Sequence, residues 1–309
     1  MEYNTIPKTE LKVSAIGLGT WVFGGKFWGG SVEKNCLEAV LCAEDCGINL
    51  IDTAPVYGQG RSENIVGRAI KAKRSHWIVA TKCGLVSHGK YIHDLSPQSI
   101  RQELELSLKR LQVEYIDLYQ CHWPDPTTSI EKTIEALMSF KKEGKIRYIG
   151  LSNFPKELFE RACRVREIAT GQNEYSLLNR GIEQELFPFL RERSIGLLAY
   201  GPLGGGILTG KYKEPPVFHG ADARGFFYKY YEGEAFDHTQ HLIDHLKKLG
   251  KPLNQIAINW VRQQEGVASV LVGCRDTKHV KENVEAVQWR LSSEELNHIE
   301  MIRKVELHG

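Results

Sequence analysis

The sequence predicts an α/β protein folded as a closed (β/α)8 TIM barrel, and three observations lead there. Short β-branched runs alternate with amphipathic helical stretches along the chain, the mark of parallel βα units. An open doubly wound sheet would need a GxGxxG turn after its first strand, and Gly17-Leu18-Gly19-Thr20-Trp21 has no third, helix-opening glycine. The 309 residues fall within the span of one barrel, roughly 200 to more than 400 residues, so a single domain over residues 1–309 is expected.

Tyr3–Ile6 and Leu11–Val13 flank the turn Pro7-Lys8-Thr9-Glu10 and predict a hairpin ahead of the barrel. Barrel strands are expected at Ala15–Leu18, Asn49–Asp52, Trp77–Thr81, Tyr115–Gln120, Tyr148–Leu151, around Gln172–Tyr175, at Gly196–Ala199 and at Ser269–Val272. Strands buried on both faces read as unbroken apolar runs, as Trp77-Ile78-Val79-Ala80 and Ser269-Val270-Leu271-Val272 do. The stretch near Gln172 is short and polar, the faintest of the eight.

Helical periodicity follows most strands. Ser31 is expected to cap a helix over Val32–Cys46 that Gly47 ends. Ser96-Pro97 opens another, with proline in the first turn and apolar residues at Ile100, Leu104, Leu108 and Leu111. Further helices read as Ile130–Glu143, Pro155–Ile168, Glu183–Arg193, Leu253–Gln264 and Asp276–Val287. The connection from Gly201 to about Ala235 has no clear period and carries Gly204-Gly205-Gly206, Pro215-Pro216 and the aromatic cluster Phe226–Tyr231. A loop of that length after the seventh strand is usually functional. Helices over Ala235–Leu249 and, beyond the eighth strand, Ser292–Lys304 complete the expected set.

Composition excludes some functions. Forty basic against 38 acidic side chains leave a formal charge of +2, without the basic excess of a general nucleic-acid binder. No apolar run approaches the roughly 20 residues that span a bilayer. Met-Glu-Tyr-Asn-Thr-Ile lacks the basic start and apolar run of a secretory leader. The seven cysteines are odd in number and dispersed without a CxxC pair, which reads as reduced, structural thiols in a cytoplasmic setting. His88, His93 and His122 fall in no ligand-like spacing, so no metal is expected.

Reactive side chains gather at strand ends. Asp52 ends the second barrel strand, Lys82 the third and His122 the fourth; Ser152 and Asn153 end the fifth, Gln172 opens the sixth and Tyr200 ends the seventh. In a barrel these carboxyl ends meet on one face, where active sites are built. Taken singly each has a plain explanation: an Asp capping a turn, a solvated Lys, a satisfied His, and Tyr57 packing a loop five residues past Asp52. Their shared rim argues for a joint role.

Several ordered motifs carry a resemblance: Gly17-Leu18-Gly19-Thr20-Trp21, Asp52-Thr53-Ala54-Pro55-Val56-Tyr57-Gly58, Ala80-Thr81-Lys82, Asp117-Leu118-Tyr119-Gln120-Cys121-His122-Trp123-Pro124, Gly144-Lys145-Ile146-Arg147 and Gly150-Leu151-Ser152-Asn153-Phe154. Over essentially its whole length the chain resembles the aldo-keto reductase superfamily. It looks closest to bacterial general-stress and inositol-operon reductases, and more distantly like potassium-channel beta subunits. The resemblance maps the catalytic Asp, Tyr, Lys and His onto Asp52, Tyr57, Lys82 and His122. It implies NADPH-dependent reduction of small aldehydes and ketones. Reduction leaves negative charge on the carbonyl oxygen, so an acid must deliver a proton. A phenol of pKa about 10 is a poor acid at neutral pH. Lys82 is expected to lower that pKa, with Asp52 holding its ammonium and His122 donating to the carbonyl oxygen.

The resemblance also implies a nicotinamide cofactor extended across the barrel mouth. Thr20 and Trp21 fall among its contacts. Ser152, Asn153 and Gln172 match positions that hydrogen-bond the carboxamide, and Tyr200 the aromatic that stacks on the ring. Gly201, Pro202, Leu203, Gly205 and the glycines around them, through Lys211, match the pyrophosphate loop, with Lys211 and Arg224 supplying cations. Many relatives carry Ser where this chain has Gly201. Gly273 and Arg275 precede Asp276, the expected N-cap of a helix whose first turn presents amides and partial positive charge. Arg275 is placed for a 2′-phosphate, favouring NADPH over NADH. Glu282 and Asn283 match adenine contacts, and His279 stands where close relatives have Gln or Arg.

Trp21, Trp123 and Phe154 adjoin the catalytic positions and are expected to wall the substrate pocket, with Phe27, Trp28 and Val56 nearby. The expected partner is a small carbonyl compound, with neither nucleic acid nor membrane, for a monomer or weak homo-oligomer. A second reading is an NADP(H)-binding regulatory protein with little turnover, like the channel-associated relatives. A third, a barrel aldolase with Lys82 as Schiff base, suits the neighbouring carboxylate and phenol less well.

Overall fold

In chain order the strands are β1 (Tyr3–Thr5), β2 (Lys12–Ser14), β3 (Ile16–Gly19), β4 (Leu50–Asp52), β5 (Ile78–Cys83), β6 (Leu85–Ser87), β7 (Tyr91–His93), β8 (Ile116–Cys121), β9 (Ile146–Ser152), β10 (Thr170–Glu174), β11 (Gly196–Tyr200) and β12 (Val267–Gly273). The helices are α1 (Glu33–Asp45), α2 (Arg61–Ile70), α3 (Pro97–Leu111), α4 (Ile130–Lys142), α5 (Lys156–Val165), α6 (Leu186–Glu192), α7 (Arg224–Phe227), α8 (Gly233–Lys247), α9 (Leu253–Arg262), α10 (Thr277–Val284) and α11 (Ser293–His308). This computed structural model describes residues 1–87, 90–220 and 222–308; His88, weighed above as a metal ligand, lies outside them.

Eight parallel strands close on themselves in the order β10-β11-β12-β3-β4-β5-β8-β9. Closure comes from β12 against β3, which pairs Val272 with Leu18 and Gly273 with Gly19. The expected TIM barrel is therefore the fold. Strand side chains alternate between two faces, and that alternation sorts the molecule. Ile51, Val79, Tyr119, Cys121, Leu197 and Ala199 point outward into the large core shared with the helices. Leu50, Ala80, Leu118, Leu198 and Leu271 point inward, where they meet Ile6, Leu11 and Val13 of the amino-terminal hairpin. That hairpin, β1 against β2, plugs the end of the barrel where the strands begin. Two residues further along the inward face come Asp52, Lys82, Gln120 and Tyr200, so the same parity carries the polar groups to the opposite end.

The helix starts follow local chemistry in part. Ser96 accepts the Ser99 N–H at 3.4 Å and Pro97 occupies the first turn of α3. Asp276 caps α10 by accepting the His279 N–H at 2.9 Å. Ser31 does not cap α1: the N-cap is Val32 without a side-chain bond, and the Ser31 hydroxyl instead accepts from Arg61 Nη1 at 2.8 Å. The helix expected from Glu183 starts at Leu186, after a 3-10 turn at Gly181–Glu183. The faint sixth barrel strand is β10, and Gln172 is its third residue rather than its first.

Two elements were not expected, helix α2 and the hairpin of β6 with β7, which rises beside the barrel mouth. The long connection after β11 holds a 3-10 turn at Gly204–Thr209 and the short α7 before α8 begins. Among the described residues no helix is long and apolar enough to cross a membrane.

Candidate active site

At the carboxyl end of the barrel a cavity of about 400 Å³ opens, within the range of small-molecule sites. Its deepest wall is built by inward-facing residues of neighbouring strands. Lys82, completely buried on β5, donates from Nζ to Asp52 Oδ1 at 2.6 Å, to the Thr53 carbonyl at 3.0 Å and to the Tyr57 hydroxyl at 3.3 Å. Lys82 itself does not line the cavity; Asp52, Tyr57 and His122 do. The Tyr57 ring stacks near Trp21, at 6.1 Å and 20°, and meets the His122 ring edge-on at 6.0 Å. The four residues singled out from the sequence thus converge on one point.

The charges there are shaped by burial. The Tyr57 hydroxyl is pushed well above the ordinary phenol value, first by burial and then by the Asp52 carboxylate. This is opposite to the expected lowering by Lys82. The short contact to Asp52 takes up the ammonium, and the longer one to the phenol does not offset desolvation. Burial also pushes the Lys82 ammonium down, against the pull of Asp52. His122 is held well below the usual imidazole range by burial, with the Lys82 charge and His93 adding to it. At neutral pH the wall therefore presents a protonated phenol and a neutral imidazole.

Asp52 keeps a second set of partners. Its Oδ2 accepts from Gln172 Nε2 at 2.8 Å and from Gln120 Nε2 at 3.2 Å, while Gln172 Nε2 also reaches Gln120 Oε1 at 3.3 Å. Gln120 was missed from the sequence, although it lies near the end of β8, two residues before His122. Beside this knot, Asn153 sits in the left-handed region at φ 62°, where its amide donates to the His122 carbonyl at 3.0 Å and accepts the Tyr200 hydroxyl at 2.8 Å. Ser152, Asn153, Gln172 and Tyr200 all face the cavity.

One flank is cationic and glycine-lined. Gly201, Pro202, Leu203, Gly205 and Lys211 line it, followed by Arg224, Gly273, Arg275 and His279. Gly205 and Gly206 have φ of 69° and 106°; a Cβ on Gly205 would lie 2.6 Å from the Tyr228 ring, and one on Gly206 3.4 Å from Lys211 Nζ. The Tyr228 ring leaves no room for a side chain at Gly205, and at Gly206 it is the positive φ rather than crowding that favours glycine. Arg224 is held by Asp222 at 2.6 Å and by the Tyr212 hydroxyl, and Arg275 donates to the Trp28 carbonyl. Ala223 N–H donates to the Phe27 carbonyl at 2.8 Å, strapping the segment after β11 across to the loop after β3. A glycine cradle flanked by Lys211, Arg224 and Arg275 fits an extended diphosphate, so the residues present suit a dinucleotide.

The other flank is aromatic and apolar. Trp21, Val56, Phe27 and Trp123 line it, joined by Tyr228 of the Phe226–Tyr231 aromatic cluster and by two residues not singled out from the sequence, Leu85 and Tyr91 of the unexpected hairpin. Thr20 also lines the cavity, but its hydroxyl is committed to the Asp52 carbonyl at 2.8 Å. Besides Lys82, which sits behind the wall, three expected residues do not line the cavity. Phe154 lies in the outer core against Phe159. Asn283 is buried, bonded to Asn254 at 3.0 Å and to the Cys274 sulfur. Glu282 faces Lys278 on the surface of α10.

Comparison with known proteins gives consistent findings. A family model described as the aldo/keto reductase family matches residues 15–304. An aldo-keto reductase of Bacillus subtilis, YhdN, is 41% identical over 98% of this chain and 93% of its own length. A protein of Escherichia coli named NADH-specific methylglyoxal reductase is 37% identical over 92% of this chain and 93% of its own. Among solved structures, a glycerol dehydrogenase of Gluconobacter oxydans superimposes with a TM-score of 0.91 at 37% identity, covering 99% of this chain and 96% of that one.

Proposed function

The chain belongs to the aldo/keto reductase family, whose members are oxidoreductases using nicotinamide cofactors, and on that premise we propose that it reduces small neutral aldehydes and ketones with NADPH, Tyr57 delivering the proton. The observation that carries this reading is the contact chain from Asp52 through Lys82 to the Tyr57 hydroxyl on the cavity wall. When bound, the cofactor supplies the hydride. Tyr57 then gives its proton to the oxygen that gains charge, and Lys82 stabilises the phenolate left behind. A high phenol pKa suits this role, because the hydroxyl stays protonated until an alkoxide, a much stronger base, forms beside it. Neutral His122 donates a second hydrogen bond to the same oxygen. Asp52 keeps Lys82 charged and aimed.

Lys211 and Arg224 beside the glycine cradle suit the diphosphate that NADPH and NADH share, and the preference for NADPH rests on Arg275, a cavity-lining guanidinium that the family resemblance assigns to the 2′-phosphate. The aromatic flank favours an uncharged substrate. The names of the two relatives, a methylglyoxal reductase and a glycerol dehydrogenase, point to short carbonyls and polyols. The decisive experiment follows NADPH absorbance across a panel of aldehydes, ketones and sugars. Turnover of none of them rejects the assignment. Fluorescence titration checks the cofactor separately, and tighter binding of NADH than of NADPH would remove the role of Arg275.

A further inference from the structure

Trp28 stands on the 3-10 turn Lys26–Trp28, in the loop between β3 and α1, and lines the cavity. The residue is only 9% exposed, yet its indole Nε1 is buried with no hydrogen-bond partner among the described residues. An indole N–H can donate and never accept. Buried indoles ordinarily find an acceptor, and leaving one without is costly. Nor is this side chain loosely held. Its backbone N–H donates to the Gly25 carbonyl at 3.0 Å, its carbonyl accepts from Arg275, and the preceding Phe27 carbonyl accepts the Ala223 N–H at 2.8 Å. The ring meets Trp21 edge-on at 4.9 Å and Tyr228 at 6.3 Å. The fold therefore fixes a donor in the cavity wall.

Its neighbours indicate which acceptor it suits. On one side is Trp21, which stacks near Tyr57. On the other the Arg224 guanidinium lies over the indole at 5.9 Å, and Arg275 holds the Trp28 carbonyl. Tyr228, the third neighbour, packs against the glycine cradle at Gly205. The arginines are donors, and the carboxylate beside them is already spent. Asp222 Oδ1 accepts the Arg224 backbone N–H at 3.1 Å and its Nε at 2.9 Å, while Oδ2 accepts Nη2 at 2.6 Å. A dinucleotide reaching from Tyr57 to Arg275 passes Trp28 midway, and the part of it that lies midway is the diphosphate. We propose that the Trp28 indole N–H donates to a diphosphate oxygen, so that the loop after β3 holds the same bridge as the glycine cradle. This rests on the dinucleotide reading given above, and adds an uncharged donor to the cations Lys211 and Arg224. It concerns a part common to NADPH and NADH, and so is independent of the role given to Arg275.

Trp28→Phe tests it, since it keeps an aromatic ring beside Trp21 and Arg224 and removes the N–H. Calorimetric titration is expected to give a Kd for NADPH raised about tenfold or more, the worth of a hydrogen bond to a charged acceptor. The Kd for 2′-AMP, which has the adenosine end and no diphosphate, should stay within twofold of the wild type. An unchanged Kd for NADPH overturns the proposal, and so does an equal loss for 2′-AMP. Loss of ring packing is separated by the indole ¹⁵N–¹H spectrum of the wild type. The signal absent from Trp28→Phe should move downfield on adding NADP+ or inorganic pyrophosphate, as a donating N–H does. A signal that saturating NADP+ leaves in place overturns the proposal. Should the variant not fold, the wild-type signal, identified by nuclear Overhauser contacts with the Trp21 and Tyr228 rings, decides alone. Failure of the wild type to bind NADPH at all sinks the dinucleotide reading beneath the inference, whereas the other adverse results sink the inference only.

Discussion

Tyr57 keeps its proton through the neutral range because burial and the Asp52 carboxylate both oppose its ionisation. Tyr57→Phe is expected to lower kcat by about a thousandfold or more while leaving the Kd for NADPH within about twofold, as stopped-flow turnover and fluorescence titration would measure. Wild-type rates in that variant would exclude Tyr57 as the acid. Lys82→Met leaves the 4% exposed Asp52 without its cation, so urea denaturation should report a loss of about 3 to 5 kcal/mol, and less in the double variant with Asp52→Asn. These four residues were legible because Asp52, Lys82 and His122 are distinct chemical types at or beside strand ends and Tyr57 follows in the loop after one of them. Gln120 was not, since a glutamine two places before a histidine means little until strand parity is known. Phe154 misled for the opposite reason. It follows Asn153, whose positive φ turns the chain out of the barrel and sends the next ring under α5.

Helix α3 contributes a buried acid to the base of the β6–β7 hairpin: Glu103 accepts the Gly84 N–H at 2.7 Å, and burial raises its pKa to about 7, with the Gly84 bond opposing. A carboxyl whose folded pKa exceeds its unfolded value stabilises the fold fully below the unfolded pKa, near 4.5, and loses that contribution as pH rises through about 7. The difference in unfolding free energy between wild type and Glu103→Gln should therefore shift by about 2 to 3 kcal/mol against the wild type from pH 5 to pH 8. A pH-independent difference in urea titrations would show that the acid is not held protonated. Such elements were unevenly legible. Strands with unbroken apolar runs stood out, whereas β10 carries Thr170 and Gln172 inward and so reads as polar. Helix α2 escaped because Gly67 interrupts its pattern. That glycine is a packing device, since a Cβ there would lie 2.6 Å from the Leu111 backbone of α3. Ser31 looked like a cap, yet Arg61 of this same unexpected helix claims its hydroxyl.

Across the whole molecule, stability and chemistry occupy opposite ends of the barrel. The hairpin plug of Ile6, Leu11 and Val13 is far along the strands from Tyr57, so Leu11→Ala should cost about 2 to 5 kcal/mol in denaturant while kcat and KM stay near wild type. A matching loss of kcat at temperatures where the variant remains folded would contradict that division. The barrel architecture was legible as a rhythm of strand and helix; the pairing that seals it was not, because it joins residues about 250 positions apart, from Ile16 to Val270. That seam has a consequence during synthesis. A ribosome must extrude the chain through Gly273 before β3 finds its second neighbour, so nearly the entire nascent polypeptide waits as an open sheet with two bare edges. Any transcript cut short before that point would yield an aggregation-prone fragment rather than a smaller enzyme.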